Sequence, residues 1–258
     1  MPSAEPGSGH ITAIYRYPVK GLSPERLAAI ELEAGKALAW DRAYAIENGS
    51  RDFDPENPQH FKKTKFLMLM RHERLASLSS SFEPATTTLM LARDGRTVAR
   101  GDLSTPAGRA IVEQFLSAYM EKDLRGSPRI VHAPGFSHSD YPGQVISLIN
   151  LASVRALEDA VGRPVDPLRF RGNIYLDGLE AWVDHDWVGK TLRLGEARLK
   201  GVMPTVRCAA TNVDPITAER NMALPETLMR TFGHMNLGLY AEVVEPGRIA
   251  EGDTLTLE

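Results

Sequence analysis

Short runs of alternating apolar and polar residues, each ended by Gly, Pro, Asn or Asp, recur along this 258-residue chain. That punctuation fits many brief strands and excludes a fold assembled from long helices. HITAIYRYPVKGLSP sets Ile11, Ala13 and Tyr15 against Thr12 and Arg16, so a half-buried strand is expected there, stopping near Pro18 before a loop at Lys20-Gly21. LAAIELEAGKALAWDRAYAIE continues the alternation around Gly35. TTTLMLARDGRTVARGD predicts a hairpin turning at Asp94-Gly95, because two residues that tolerate positive φ match the twist of paired strands. RGNIYLDG, KTLRLGEARLKGVMP and YAEVVEPGRIAEGDTLTL read as further strands, the last with a Pro-Gly turn and a short closing strand.

Helical spacing is confined to a few stretches. In STPAGRAIVEQFLSAYM, Thr105 is placed to cap, Pro106 takes the first helical position, and Ile111, Phe115 and Tyr119 share one face. INLASVRALEDAVGRPVDP begins with Asn150 as a cap, carries Val154, Leu157 and Val161 on one face, and stops at Gly162. LPETLMRTFG reads as a short helix. Strands and helices do not alternate regularly, so a mainly β, partly closed barrel with a few peripheral helices is expected over a doubly wound sheet. Residues 1–10 read as a loose tail, and residues 48–63 and the stretch HAPGFSHSDYPGQ as loops.

Composition narrows the function classes. Hydrophobic residues make up 43% and charged residues 24%, the ordinary range of a soluble globular protein. A formal net charge of -3 gives no bias toward nucleic acid, although a local basic pocket remains open. No apolar run approaches the roughly 18 residues that would span a bilayer. MPSAEPGSGH lacks a charged-then-apolar secretory pattern, so a cytoplasmic location is expected. The single cysteine, Cys208, excludes an intrachain disulfide, a CxxC redox pair, and an all-cysteine zinc or iron–sulfur site. No GxGxxG fingerprint for a flavin or nicotinamide is present either.

Cys208 lies in GVMPTVRCAATNVDP, between turns marked by Pro204 and Pro215. Three readings are open: a buried packing thiol, a nucleophile, or a ligand. The adjacent Arg207 favours a thiolate. None of the 7 histidines lies in a recognisable Cys–His arrangement, and a structural zinc would need His132, His138 or His185 to join the sulfur. DHDW at 184–187 reads as a solvated turn. A cofactor that brings most of its own metal ligands and takes one thiolate from the protein, such as molybdenum on a pterin dithiolene, fits a lone cysteine.

KGVMPTVRCAATNVDP resembles the signature of the MOSC domain, named for the C-terminal domain of molybdenum cofactor sulfurase. RFRGNIYLDG resembles that family's Arg-Pro-Asn strand, with Gly172 in place of the proline. YPVKGL, WDRAYAI and EPGRIAEGDTLTL resemble three further family segments, and all five occur in the family's order. The resemblance implies N-terminal strands over 1–47 packing with the barrel, a smaller α+β, β-barrel-like subdomain over 48–127, and the MOSC domain over 128–258. It implies that Cys208 is the molybdenum ligand and catalytic residue. Lys20, Gly21, Arg42, Asn150, Arg171, Asn173, Val206 and Arg207 would then surround the pterin and its phosphate.

Members with this two-part layout resemble the mitochondrial amidoxime-reducing component and its bacterial relatives. The implied activity is reduction of small N-hydroxylated compounds by oxygen-atom transfer at molybdenum cofactor. Electrons would come from a separate reductase or ferredoxin-like partner, with no pyridoxal phosphate, flavin or iron–sulfur cluster on this chain, and no nucleic-acid or membrane partner. The alternative is a carrier of the cofactor, or of a Cys208 persulfide, without turnover. The lone cysteine yields one test: cofactor-loaded chain without a partner should not couple NADH oxidation to hydroxylamine reduction. NADH-driven turnover by the chain alone would contradict the need for a partner.

Overall fold

The computed structural model describes residues 8–258. Of the expected N-terminal tail, residues 1–7 lie outside the described residues, and the first strand already begins at Gly9.

The N-terminal half contains β1 (Gly9–Arg16), β2 (Glu25–Leu27), β3 (Ala29–Leu32), β4 (Tyr44–Asn48), β5 (Ser79–Glu83), β6 (Thr88–Arg93), β7 (Arg96–Asp102), α1 (Pro106–Tyr119) and β8 (Pro128–His132). The C-terminal half contains β9 (Ile146–Asn150), α2 (Leu151–Val161), β10 (Ile174–Asp177), β11 (Thr191–Leu194), β12 (Ala197–Val206), α3 (Leu224–Phe232), β13 (Asn236–Glu245), β14 (Gly247–Ala250) and β15 (Thr254–Leu257). The barrel is fully closed. Its strands run in the order β10-β9-β13-β12-β11-β15-β1, and β1 pairs back onto β10 from His10–Asp177 to Ile14–Ile174. Closure removes the exposed sheet edges that short strands would otherwise leave. β9 and β10 run parallel, which a tight turn cannot connect, and α2 supplies the crossover.

Alternation along the strands fills the barrel with Ile11, Ile14, Leu148, Leu176, Leu192, Leu199, Leu239 and Leu255. A second core collects Val19, Leu22, Tyr44, Ile46, Leu75, Leu89, Leu116 and Ile130. It lies among the β4–β8 pair, the β5-β6-β7 meander and α1, an α+β unit. β1 and β2 belong to the barrel sheet, and β3 pairs with β14. β8 pairs with β4 although it follows residue 127 in the chain. The chain passes from the first core at Ile14 to the second at Val19 and Leu22, so whatever sits between them lies where the two units meet.

The β6–β7 hairpin turns at Asp94 and Gly95, both at positive φ. Thr105 Oγ1 accepts from Gly108 N at the start of α1, and Asn150 Oδ1 accepts from Ala152 N at the start of α2. Two expectations need correction. The buried face of α1 is Gly108, Val112 and Leu116, while Ile111 is 51% exposed. A Cβ on Gly108 would stand 2.1 Å from the Asp102 carbonyl oxygen, so the helix approaches β7 backbone to backbone and this contact fixes its rotation. DHDW is not a solvated turn: it forms a short 3-10 helix, Val183–Trp187, with Asp184 and Trp187 buried. No helix among the described residues is long and apolar enough to cross a membrane.

The close approach makes Gly108 a testable position. Gly108→Leu should lower stability by about 1–3 kcal/mol, the usual cost of overpacking, read from urea unfolding. Ala107→Leu, on the exposed side of the same turn, should change it little.

Candidate functional site

A cavity of about 380 Å³ opens between the barrel and the smaller unit. Its wall draws on the segment after β1 (Lys20, Gly21), the turn before β4 (Asp41, Arg42), and Lys63 with Met68–Met70 of the smaller unit. The barrel adds Ser147, Arg171, Asn173, Thr205–Cys208 and Tyr240, and the loop before β9 adds Asp140 and Tyr141.

Asp41, nearly fully buried, organises one end. Its Oδ1 accepts from Tyr17 N at 2.8 Å and from Asn173 Nδ2 at 3.0 Å, and its Oδ2 accepts from Arg42 Nη1 at 2.5 Å. Asn173 also donates to Tyr15 O and accepts from Ser147 N, so its amide is committed within the protein. Arg42 gives its other arm to the Arg171 carbonyl at 2.7 Å. Arg42 and Arg171 both hold positive φ, a costly conformation for an arginine that the surrounding bonds maintain.

The two guanidinium groups lie over the Tyr17 ring, at 4.6 Å for Arg42 and 4.2 Å for Arg171. Arg42 has a carboxylate partner. The Arg171 guanidinium makes no hydrogen bond with any described residue. Burial, with Arg42 beside it, pulls its pKa down to about 10 against the attraction of Tyr17 and Asp41. It remains charged at neutral pH.

Arg207 is buried and turned away from the sulfur. Nε donates to Leu237 O at 2.7 Å and Nη1 to Phe170 O at 2.9 Å, with Nη2 also on Leu237 O. It clamps β13 against the segment leading to Arg171. The cation in contact with Cys208 is Lys63, whose Nζ donates to Sγ at 3.3 Å and to Asp140 Oδ2 at 2.9 Å. Lys20 donates to Asp140 Oδ1 at 2.5 Å and to His138 O at 2.7 Å. Burial opposes charge on both partners of the Lys63–Asp140 pair. Mutual attraction, joined by Lys20 and by Cys208, outweighs it, raising Lys63 and holding the Asp140 carboxyl well below the usual range.

The loop after Cys208 is pinned twice. Arg169 reaches Asn212 O at 3.1 Å, Asp214 Oδ2 at 2.6 Å and Asn221 Oδ1 at 2.8 Å. Arg220 bridges Ala209 O to the Leu69 and Met70 carbonyls of the smaller unit. Two buried hydroxyls on the cavity wall, Ser147 Oγ and Thr205 Oγ1, have no hydrogen-bond partner among the described residues. Such atoms are costly unless a ligand satisfies them.

Of the residues expected from sequence, Lys20, Gly21, Arg42, Arg171, Asn173, Val206, Arg207 and Cys208 line this one cavity. Val206 sits at its rim, 57% exposed. Asn150 does not line it: besides capping α2, its Nδ2 donates to Glu180 O and Asp184 Oδ1. Gly172 suits its place as proline would not. Its N–H donates to Tyr175 Oη, and a Cβ there would meet Ile149 Cγ1 at 2.2 Å. The histidines do not join the sulfur, and no group of three or more His, Cys, Asp or Glu among the described residues could hold a metal. Sequence reading missed Lys63, Asp140, Ser147, Thr205 and Tyr240, which carried no signal beyond loop or strand composition. Asp41 was legible beside Arg42 in WDRAYAI.

The donor set fits a phosphate-bearing cofactor that takes a single sulfur from protein. The unpaired Arg171, the two orphaned hydroxyls and the lone half-buried sulfur all open into one cavity of ligand-sized volume.

Residues 135–256 match the MOSC domain, and residues 8–124 match the MOSC N-terminal beta barrel domain. A segment of 120 residues, 42% of this chain, is 32% identical to mitochondrial amidoxime-reducing component 1 of Xenopus laevis, covering 34% of that protein. The Homo sapiens protein of the same name is 30% identical over 122 residues, 43% of this chain and 36% of its own length. The chain thus spans about a third of these curated relatives. Among solved structures, YiiM from Geobacillus stearothermophilus is 24% identical over 44% of this chain and 53% of that one, with a TM-score of 0.35. The YUAD protein from Bacillus subtilis is 9% identical over 96% and 94%, with a TM-score of 0.44. Both are distant likenesses.

His138 supplies a pH test of how tightly the wall beside Lys20 is packed. Burial among Phe53, Phe66 and Phe136, aided by the Lys20 charge, lowers its pKa to about 3. The unfolded imidazole titrates near 6.5, so between these values only the unfolded chain takes up the proton. Stability should therefore fall as pH drops from about 6.5 toward 3, by an amount on the order of 5 kcal/mol from this group. His138→Phe should flatten that part of the stability–pH curve; parallel curves for the two proteins would contradict it.

Proposed function

Because this chain belongs to the MOSC family, with the N-terminal beta barrel domain followed by the MOSC domain, we propose that it is a molybdenum cofactor-binding oxidoreductase that reduces N-hydroxylated compounds. The observation that carries the reading is the Cys208 sulfur opening into a cavity whose Arg171 guanidinium has no ion-pair or hydrogen-bond partner among the described residues. The names of the amidoxime-reducing relatives support the reaction class.

Cys208 would hold the metal. Arg171, with the free edge of Arg42, would take the cofactor's phosphate, where a planar guanidinium offers paired donors. Ser147 Oγ and Thr205 Oγ1 would gain partners among the polar edges of the pterin. Asp41, Asn173 and Arg207 act one step back: they fix the backbone and the two arginines, and so cost little reorganisation when the ligand binds. When bound and reduced, the cofactor would supply a two-electron donor that can take up an oxygen atom. The overall conversion, R–NHOH with two electrons and two protons to R–NH2 and water, needs both electrons from outside the chain. With a single cysteine and no flavin or nicotinamide fingerprint, a separate electron-transfer protein is part of the proposal.

Protein expressed with molybdate should retain molybdenum and pterin. Cys208→Ala should lose the metal, and Arg171→Gln should weaken cofactor retention by about tenfold to a hundredfold, the worth of a charge-assisted hydrogen bond. With a chemical reductant, the wild-type protein should convert an amidoxime to its amidine. Cofactor retention without turnover would replace the enzyme reading with the carrier reading, and wild-type protein without molybdenum would sink both.

A further inference from the structure

The sulfur of Cys208 has a protein partner from the other unit of the chain. Lys63 lies in the short helical turn Lys63–Lys65, with its Nζ 3.3 Å from Sγ. A surface lysine normally swings free in water, but this one is held. Asp140 fixes the ammonium at 2.9 Å, and Asp140 is itself fixed by Lys20, which is anchored on the His138 carbonyl. The Lys63 side chain is 28% exposed. Lys65, two residues on, pairs instead with Asp52 at an exposed site.

We propose that Lys63 is a positioning residue that acts through the Cys208 sulfur and sets the reduction potential of a metal held there. The inference rests on the cofactor-binding reading above. An N–H···S hydrogen bond draws on the sulfur electrons that would otherwise be donated to the metal, and this weakens support for the more oxidised state. The ammonium charge works in the same direction, because a nearby cation favours the state with more negative charge. Both effects raise the potential. The N-terminal unit thus has a role in the chemistry that its strands alone would not suggest: it delivers a fixed positive charge to the one sulfur of the other unit.

The test uses cofactor-loaded protein and compares wild type with Lys63→Met, Lys63→Arg and Lys65→Met. Molybdenum and pterin contents are measured beside the midpoint potentials, taken from EPR-monitored redox titration, and the thiolate-to-metal absorption band. Lys63→Met should keep its metal, since Lys20 still holds Asp140. It should show a lower potential and a red-shifted band. Lys63→Arg should restore both toward wild type, and Lys65→Met should move neither. A Lys63→Met protein that keeps its metal with wild-type potential and absorption would overturn the proposal. So would an equal shift in Lys65→Met, which would mark a general field effect. Loss of metal from Lys63→Met would also overturn it, by making Lys63 a binding residue. Wild-type protein that holds no molybdenum would instead bring down the cofactor reading, and this proposal with it.

Discussion

The buried carboxylate of Asp41 is the point on which the site depends. Three donors from separate stretches of chain converge on it: Tyr17 N after β1, Asn173 Nδ2 before β10, and Arg42 Nη1 beside it. A carboxylate taken out of water is costly unless each lone pair finds a donor, and here the donors are the segments that must be brought together. Asn173 passes the constraint on to β9 through Ser147 N. Arg42 passes it to the Arg171 carbonyl, which leaves the Arg171 side chain extended over Tyr17 and unpaired. The free cation in the cavity is thus a consequence of how its backbone is held.

Closure of the barrel explains why the cavity lies where it does. A closed ring filled with aliphatic side chains has no room inside for a ligand. Space exists at the rim, where the chain leaves the barrel and the smaller unit packs against it. Both units supply walls, and Arg220 and Lys63 cross between them. The overall charge of -3 conceals the result. Lys20, Arg42, Lys63 and Arg171 line the cavity against Asp41 and Asp140, with Arg169 and Arg207 in the wall behind them, so the local field favours an anion in a chain that is acidic as a whole.

Features set by neighbouring residues were legible in the sequence: the Asp94-Gly95 hairpin, the Thr105 and Asn150 caps, the stop at Gly162. Features set by tertiary contact were less so. The rotation of α1 follows from the close approach of Gly108 to β7, which favours the Gly108–Leu116 face over the larger apolar residues at 111, 115 and 119. Asn150 carried two sequence signals, cap and site residue, and its bonds to Ala152, Glu180 and Asp184 use it up away from the cavity. Arg207, adjacent to Cys208 in sequence, faces the backbone of Leu237 and Phe170, because successive residues of an extended segment point to opposite sides. Lys63 and Asp140 lay in stretches that read only as loop, and nothing local distinguishes a lysine that will be folded onto a distant sulfur.

The central claim is that the lone cysteine and the unpaired arginine face one cofactor. Anomalous diffraction at the molybdenum edge, on crystals of protein grown with molybdate, tests it directly. A single strong peak is expected within bonding distance of Cys208 Sγ, with phosphate density against the Arg171 guanidinium. A peak elsewhere on the chain, or metal-replete protein with no density at Cys208, would contradict it.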